Sequence, residues 1–392
     1  MAPTTVSPAA AAPLPQAKGN KPIEIINAEL ARLELKDRQG KEYEYEHLRP
    51  TFPDIKYPPL ELFEVRDKAL DADKSFKNLF AAATEVRHLT PKIGTELVGV
   101  NLANLTDAQK DELALLTSYR GVVFFRDQKD LDIQKQLDLG RYWGKLHVHA
   151  TTGQPKAWKE QNLEEVHVVW SDEKRLPATS FSQTYLWHSD VTYELQPPSY
   201  TTLKLLDGPE DGGDTLWVLG YALYDQLSPG LQKYLEGLTA LHSAHEQADD
   251  SRRDGRPIRR EPIVSEHPLV RTHPVTGYKS LFVNPGFTRA IKGVPKGESD
   301  AILNYLFTLI ATAQEYSVRF KWNKNDVALW DNRITTHSAT YGFWPARRHA
   351  VRVTVHGEKP YFDGGVSQQE ELDKVLGLTR NLDGTKKANY ND

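Results

Sequence analysis

The run YTTLKLL at residues 200–206 decides the interpretation of the fold, because it is one of several short apolar stretches with strand propensity. From residue 180 onward such stretches dominate the chain, and Pro and Gly separate them. They do not alternate regularly with helices, which favours a sandwich, barrel or jelly roll over a doubly wound parallel sheet. The remaining stretches are GVVFFR (121–126), TLWVL (215–219), SLFV (280–283), VALW (327–330) and AVRVTVH (350–356).

Helical patterns flank and interrupt these strands. Thr106 precedes an apolar-periodic run through Leu116, so Thr106 is the predicted N-cap of a helix. Helical spacing recurs at 130–143, 222–241 and 299–316. The sequence therefore predicts a mostly β protein with flanking helices, of the α+β class.

Composition limits the chemistry that is available to the chain. Among 392 residues there is no Cys, and the single Met is Met1. This excludes disulfides, thiolate zinc sites, iron–sulfur clusters and cysteine nucleophiles, so a metal has to be held by His, Asp or Glu. The 49 basic and 53 acidic residues give a net charge of −4, which argues against a general nucleic-acid binder.

The chain divides into four predicted parts. Residues 1–22, rich in Ala, Pro and Thr, predict a disordered tail, and 23–87 predict an N-terminal extension packed on the core. Residues 88–360 form the expected catalytic domain, and 361–392 a C-terminal extension. We find no secretory signal and no apolar run long enough to span a membrane, so we expect a cytoplasmic protein.

The motif WHSD at 187–190 places an imidazole and a carboxylate two residues apart. In an extended strand His188 and Asp190 face the same side and reach one point, where they offer two ligands to a divalent metal. A third ligand, His337, follows Asp190 by 337 − 190 = 147 residues. Two His and one carboxylate on one face of iron leave three coordination positions open.

A 2-oxo acid bound at two of these open positions would need a cationic group for its distal carboxylate, and the next motif along the chain supplies one. Arg348 comes 11 positions after His337 and offers the bidentate geometry that a carboxylate requires. Thr215, in the motif GGDTLW, offers a hydroxyl to the same carboxylate. Arg352 lies four residues beyond Arg348, so both side chains are expected on one face of a strand.

These ordered motifs resemble the taurine dioxygenase (TauD/TfdA) family of iron(II)- and 2-oxoglutarate-dependent oxygenases, and the fungal sulfonate dioxygenase branch in particular. The resemblance runs from about residue 88 to 360 and implies a double-stranded β-helix, or jelly-roll, core. The motifs that carry it are VVFFRDQ (122–128), GKLHVH (144–149), WHSDVTYELQPP (187–198), GGDTLW (212–217), VRTHPVTG (270–277), LFVNPGFTR (281–289), ALWDNRITTHSA (328–339) and RRHAVRVTV (347–355).

The resemblance also implies residue roles. The iron(II) ligands are expected to be His188, Asp190 and His337, with 2-oxoglutarate and O2 as cosubstrates. Thr215 and Arg348 match the 2-oxoglutarate contacts. The positions that hold or pack against the primary substrate, a small anionic organic molecule, are matched by His149, Val191, Phe287 and Arg352.

The identity of the substrate stays open at this point. Where the bacterial taurine enzymes carry Tyr and Asn, this chain has Thr152 and Thr184, and the expected lid at 151–182 is longer. An alkyl sulfonate such as taurine, oxidised to aldehyde and sulfite, is the first hypothesis. A carboxylate such as an amino acid or aryloxyacetate, or an alkyl sulfate ester, is the second. The third hypothesis is of another class, a metal-binding jelly-roll protein without turnover. For the oligomeric state, a homodimer and a homotetramer are both open.

Several other residues receive ordinary interpretations, that is, structural or surface roles and no part in catalysis or metal binding. His242 and His245 are expected to be solvated or capping, and His147 to have a packing or surface role. His273 precedes a turn and is at least as consistent with a structural role as with catalysis. The basic run at 252–260 predicts a solvated loop, and Arg347 is expected to pair with a surface carboxylate.

Overall fold

A computed structural model describes residues 43–172, 183–344 and 346–376. Contacts divide the chain into a unit Met1–Glu44 and a unit Tyr45–Asp392, and all the helices and strands given below belong to the second unit. Within the described residues, no helix is both long enough and apolar enough to cross a membrane. The predicted tail 1–22, residues 23–42 of the predicted N-terminal extension, residues 173–182 of the expected lid and residues 377–392 of the predicted C-terminal extension lie outside the described residues.

Seventeen strands are found in the described part of the chain. In chain order they are β1 Pro50–Thr51, β2 Glu85–His88, β3 Thr95–Val98, β4 Val122–Phe125, β5 Gln154–Pro155, β6 Val166–Ser171, β7 Pro198–Asp207, β8 Thr215–Leu219, β9 Thr239–Ser243, β10 Val264–Pro268, β11 Val270–Thr272, β12 Lys279–Leu281, β13 Thr288–Ile291, β14 Ser317–Phe320, β15 Val327–Asp331, β16 Thr335–Ala339 and β17 Arg348–His356.

Eight α-helices accompany these strands in the described residues. They are α1 Lys77–Ala82, α2 Asp107–Arg120, α3 Ile133–Trp143, α4 Gly220–Asp225, α5 Pro229–Leu235, α6 His245–Arg253, α7 Lys296–Thr312 and α8 Gln368–Val375. The 3-10 turns are Glu46–Leu48, Lys68–Asp71, Leu102–Asn104, Gln183–Leu186 and Gln314–Tyr316.

Two sheets pack against each other around one apolar core. The larger sheet has the order β2-β3-β4-β15-β7-β17-β6 and the smaller has the order β14-β8-β16. Phe124 of the larger sheet stacks on Phe320 of the smaller at 4.1 Å between ring centroids, and Trp217 meets Phe124 edge-on at 5.4 Å. The described fold is therefore mixed α and β, with the two sheets face to face.

The outer face of the larger sheet is covered by helices α2 and α3. All four residues of β4 are buried because alternate side chains face the two cores: Phe124 faces the smaller sheet, and Phe125 faces the helices. Thr106 caps α2 as predicted, and a reciprocal bond with Gln109 completes a capping box.

The helix predicted over 222–241 is wrong. The structure has two short helices, α4 and α5, followed by strand β9, which pairs with β10 and β13. Ser228 caps α5 and Pro229 occupies its first turn, so a new helix begins where the apolar spacing suggested continuity. The helix predicted over 299–316 occupies Lys296–Thr312 and ends in a 3-10 turn.

Candidate active site

A single backbone bridge brings the two candidate metal-binding histidines together. His188 lies just after the 3-10 turn Gln183–Leu186 and pairs with His337 of β16, each amide donating to the other residue's carbonyl, at 2.9 and 2.7 Å. Their ring centroids are 4.2 Å apart. Ser189 reinforces this pairing, because its hydroxyl donates to the carbonyl of Thr335 at 2.7 Å.

Asp190 sits in the turn that follows His188, and Asn332 fixes its backbone. The Asp190 amide donates to Asn332 Oδ1 at 2.6 Å, and Asn332 Nδ2 donates back to the Asp190 carbonyl at 3.0 Å. The next residue, Val191, has a φ of 40°, a strained conformation for a β-branched side chain. Asp190 therefore lies in a turn. The extended strand expected across His188 and Asp190 is wrong, because His188 forms only an isolated bridge and the turn brings Asp190 to the same point.

One ligand atom from each of His188, Asp190 and His337 lies within 4.8 Å of the others. Each histidine Nε2 is 3.8 Å from Asp190 Oδ1. His188 donates from Nδ1 to the Leu186 carbonyl at 2.9 Å, which leaves the lone pair of its Nε2 free for a metal. We call these three residues the triad.

The protonation states of His337 and Asp190 suit a divalent cation. Burial lowers the pKa of His337 to about 3, with His188 adding to the effect, so the imidazole is neutral at neutral pH. Burial acts to raise the pKa of Asp190, but Arg352 and the two histidines outweigh it and lower the pKa to about 2. Asp190 Oδ2 is buried without a hydrogen-bond partner, as expected of a carboxylate that awaits a ligand. Two imidazoles and one carboxylate fit iron(II).

Arg348 and Thr215, the predicted 2-oxoglutarate contacts, lie on either side of Trp322. The Trp322 indole donates to Thr215 Oγ1 at 3.0 Å, and the Arg348 guanidinium lies 5.9 Å from the Trp322 ring. Arg348 Nε donates to the Gly213 carbonyl at 3.2 Å, whereas its buried Nη2 has no partner. Gly213 has a φ of +68°, and a Cβ there would lie 3.2 Å from the Arg348 side chain.

Arg352 contacts the triad directly. Like Arg348 it belongs to β17, and its Nη1 pairs with Asp190 Oδ1 while its Nη2 contacts His167 Nδ1. Its Nε is buried without a partner. His149 lies close by, with its ring 5.2 Å from that of His167. Of the predicted substrate-anion residues, Arg352 therefore lies beside Asp190, and His149 lies next to His167, which sequence interpretation missed.

An apolar wall adjoins the triad on another side. Phe287 lies edge-on to His188 at 6.3 Å and to Tyr193 at 5.1 Å, and it clusters with Val191. Gly286 is required next to this wall, because a Cβ on it would lie 2.7 Å from His188 Cβ. The two residues predicted to pack against substrate are therefore together.

An apolar cavity of about 190 Å³ lies next to this wall. Tyr193 and Ala150, the neighbour of His149, form part of its lining. Tyr57, Pro59 and Leu60, from the predicted N-terminal extension, line it as well. Arg260 holds that extension in place, since its Nε donates to the Pro58 carbonyl at 3.1 Å.

The structure corrects two of the ordinary interpretations. His242 is fully buried and its Nδ1 lies 2.9 Å from Thr192 Oγ1, so it is not solvated, whereas His245 is exposed at the start of α6. Arg259 and Arg260 are buried and do not belong to a solvated loop. Both bind backbone carbonyls more than 100 residues away, at distances of 2.5 to 3.1 Å.

The other ordinary interpretations are confirmed. His273 is buried and lies 3.0 Å from Asp331, and its Nδ1 accepts backbone amides of the following turn. His147 packs inside and lies 3.2 Å from Glu194. Arg347 pairs with Asp207 at 2.7 Å.

Sequence interpretation missed four residues that shape the site: Gly286, Trp322, Asn332 and His167. Asn332 and Gly286 lie inside the quoted motifs ALWDNRITTHSA and LFVNPGFTR, so their positions carried a signal. Trp322 and His167 lie outside every quoted motif. Only the strand pairing shows that His167 faces Arg352.

Two histidines and one carboxylate that converge on one point are a ligand set typical of non-haem iron(II) oxygenases. The model of the taurine catabolism dioxygenase TauD, TfdA family matches residues 85–354. This chain belongs to that family, and it is an iron(II)- and 2-oxoglutarate-dependent dioxygenase that uses O2. The family resemblance inferred from the sequence is thereby confirmed.

Individual relatives agree with this assignment. The chain is 41% identical over 346 residues to the alpha-ketoglutarate-dependent sulfonate dioxygenase of Saccharomyces cerevisiae, which covers 84% of this chain and 82% of the yeast protein. It is 46% identical over 342 residues to a Schizosaccharomyces pombe protein provisionally assigned the same activity, with 86% of each chain covered. A taurine dioxygenase from Burkholderia xenovorans superposes with a TM-score of 0.59 at 31% identity, covering 72% of this chain and 94% of that one.

Proposed function

We propose that this dioxygenase hydroxylates the carbon next to the sulfonate of an alkyl sulfonate, of which taurine is one example. The hydroxylated product collapses to an aldehyde and sulfite, while 2-oxoglutarate is converted to succinate and CO2. The observation that carries the proposal is the position of Arg352. Its guanidinium contacts Asp190 Oδ1, which lies 3.8 Å from each histidine Nε2, and it also contacts His167, whose ring is 5.2 Å from that of His149. An anion held there brings its neighbouring carbon next to the triad.

Different residues of the site would bind the metal and two anions, which are 2-oxoglutarate and the substrate. His188 Nε2, His337 Nε2 and the Asp190 carboxylate would hold iron(II), which with 2-oxoglutarate and O2 supplies the oxidising power for attack on a C–H bond. Arg348 and Thr215 would bind the distal carboxylate of 2-oxoglutarate. The orphaned Arg348 Nη2 supports this role, because a buried donor without a protein partner is typical of a ligand site.

The chain's remaining contribution is position and the exclusion of water. Phe287 and Val191 are buried beside His188 and Asp190, so they keep water away from the substrate carbon. Arg352 is held by Asp190 and His167, which leaves it little freedom to move the anion. A displacement of about 1 Å costs on the order of a hundredfold in rate, so this fixed geometry matters.

We also propose that the two packed sheets form the jelly-roll core of a catalytic domain spanning 88–360, between an N-terminal extension at 23–87 and a C-terminal extension at 361–392. The family match at 85–354 and the shared core of the two sheets support this division. A cytoplasmic location and a homodimer or homotetramer stay predictions.

Anaerobic reconstitution with iron(II) and 2-oxoglutarate, followed by oxygenated turnover, tests the proposed function. The substrate panel contains alkyl sulfonates, alkyl sulfates, amino acids and aryloxyacetates, and succinate and sulfite are both measured. We expect sulfonates to stimulate succinate formation, with sulfite released in equal amount. Stimulation by carboxylates alone would identify the anion at Arg352 as a carboxylate and contradict the proposal. Stimulation by alkyl sulfates alone would indicate a sulfate ester.

A further inference from the structure

Strand pairing adds a third side chain to the proposed anion site. His167 of β6 lies directly opposite Arg352 of β17 in the antiparallel register, and its Nδ1 contacts Arg352 Nη2. His149 approaches from the segment after α3, with its ring 5.2 Å from that of His167. Arg352, His149 and His167 therefore form one cluster beside the triad, which we call the anion cluster.

Hydrogen bonds assign the tautomers of both histidines. A guanidinium has only donors, so the His167 nitrogen that faces Arg352 has to accept, and the ring proton resides on Nε2. His149 Nδ1 likewise accepts the Thr151 amide at 3.2 Å, which places its proton on Nε2. Within the described part of the chain, neither Nε2–H donates to a protein acceptor. The anion cluster thus has two free imidazole donors.

Arg352 supplies the third donor and the charge. Its Nη1 and Nη2 are engaged by Asp190 and His167, whereas its Nε is buried and unpartnered. The cluster therefore offers one guanidinium charge and donors on three side chains. A carboxylate has two oxygens, and the Nε–H of Arg352 together with the second N–H of its Nη2 can bind both as a fork. An SO3⁻ group carries the same single charge on three oxygens and has an acceptor left for another donor.

We propose that His167 is a substrate-binding residue that donates its Nε2–H to an oxygen of the substrate's SO3⁻ group and so favours that group over a carboxylate. This inference rests on the proposed function and assigns it a specificity-determining residue. The SO3⁻ group belongs either to a sulfonate or to a sulfate ester, and the experiment distinguishes the two sources.

Two variants separate a direct contact from a positioning role. In His167→Asn the amide oxygen occupies the place of Nδ1 and still accepts from Arg352, but nothing replaces Nε2–H. In His167→Gln the amide reaches the place of Nε2 and restores a donor there. The probes are butanesulfonate, butyl sulfate and pentanoate, which share one alkyl chain, and each is titrated calorimetrically into the anaerobic iron(II)–2-oxoglutarate enzyme.

We expect His167→Asn to weaken butanesulfonate binding about tenfold to a hundredfold, since a hydrogen bond to a charged group is lost. Pentanoate binding should change less than about threefold, and His167→Gln should recover most of the sulfonate affinity. Binding of 2-oxoglutarate and the thermal midpoint serve as controls and should stay at wild-type values. Whichever of butanesulfonate and butyl sulfate binds the wild type more tightly identifies the source of the SO3⁻ group.

Equal losses for butanesulfonate and pentanoate in His167→Asn would overturn the inference, because His167 would then act only by positioning Arg352. Unchanged sulfonate binding in His167→Asn would overturn it as well. Both results leave the proposed function standing if the wild type binds butanesulfonate. A wild type that binds pentanoate but neither SO3⁻ probe would overturn the proposed function and this inference together.

Discussion

Two buried polar clusters lie next to each other in this molecule, and they differ in how well their atoms are paired. In the Arg333 cluster, Arg333 binds Asp331 through two bonds of 2.9 and 2.6 Å, Asp67 at 2.7 Å and Glu358 at 3.3 Å. In the site, one buried polar atom has no partner on each of Asp190, His337, Arg348 and Arg352.

One stretch of sequence contributes residues to both clusters. In the motif ALWDNRITTHSA, Asp331 and Arg333 belong to the Arg333 cluster, whereas Asn332 bonds to Asp190 and His337 belongs to the triad. Orphaned buried atoms also occur outside the site, for example on Trp217, Arg259 and Arg271, and Arg271 contacts Glu358 of the Arg333 cluster. Neither buried charge nor an unmet hydrogen bond alone therefore identifies a functional site; the site is where orphaned atoms coincide with three converging metal-ligand side chains.

Removing the triad carboxylate should have the largest effect on function. Asp190→Ala deletes the only carboxylate ligand in the described triad, so 2-oxoglutarate-coupled succinate formation should fall below detection. Anaerobic metal titration and succinate assays check this. Asp207→Ala, which removes the partner of Arg347, is the control and should keep its turnover. Persistent coupled turnover in Asp190→Ala would show that the ligand assignment is wrong.

Breaking the Arg333 cluster should mainly lower the free energy of unfolding. Arg333→Ala leaves Asp331 and Asp67 buried without their cation, while Glu358 keeps Arg271, so the free energy of unfolding should fall by about 3–5 kcal/mol. Urea denaturation measures this change. The matched control is Arg66→Ala, which breaks an exposed pair with Asp71 and should cost less than about 1 kcal/mol. Similar losses in both variants would contradict the distinction between the clusters.

Loosening the support of Asp190 should weaken the metal site without unfolding the chain. Asn332→Ala removes both bonds to the Asp190 backbone, and we expect metal affinity to drop about tenfold to a hundredfold. Anaerobic iron(II) titration provides the measurement, with Asn304→Ala on the exposed side of α7 as the control. Wild-type affinity in Asn332→Ala would mean that the strained turn at Val191 holds Asp190 without help.

The smallest expected effect is a change in the pH dependence of stability. Burial, assisted by Arg333, lowers the pKa of His273, so the folded state keeps this ring neutral where an unfolded histidine gains a proton. As the pH falls below about 6.5, the unfolded state therefore binds more protons and the free energy of unfolding decreases. The slope from this residue is at most about 1.4 kcal/mol per pH unit.

His273→Asn isolates that contribution, because Asn retains an acceptor near Nδ1 but does not titrate. Urea denaturation between pH 7 and pH 5 should show a slope that is shallower by up to one proton than that of the wild type. An identical slope in both proteins would show that His273 does not remain neutral in the Arg333 cluster.

Much of this organisation could be predicted from the sequence, because the signals are local. Strands such as β8 and β15 follow from their apolar runs, and the start of α2 follows from the Thr106 cap. The triad residues lie in ordered motifs, and the structure brings them together. The wrong helix over 222–241 also had a local signal, since Ser228-Pro229 is a helix start within the apolar pattern.

The rest depends on contacts between distant parts of the chain. His167 acquires its place only through pairing with β17, 185 residues away. Arg259 and Arg260 look like members of a charged surface run, yet both are buried and donate to carbonyls of distant segments. The spacing of residues within one segment does not predict such distant partners, so only the three-dimensional structure identifies the roles of these residues.

The cavity beside the site has a mixed origin. Its walls at Tyr193 and Ala150 belong to the part of the chain that the family model matches, whereas Tyr57, Pro59 and Leu60 precede residue 85, where that match begins. Tyr57 is anchored by its amide, which donates to the Arg259 carbonyl at 2.6 Å. Mutations in this short segment can therefore reshape the space next to the site while every metal ligand stays unchanged.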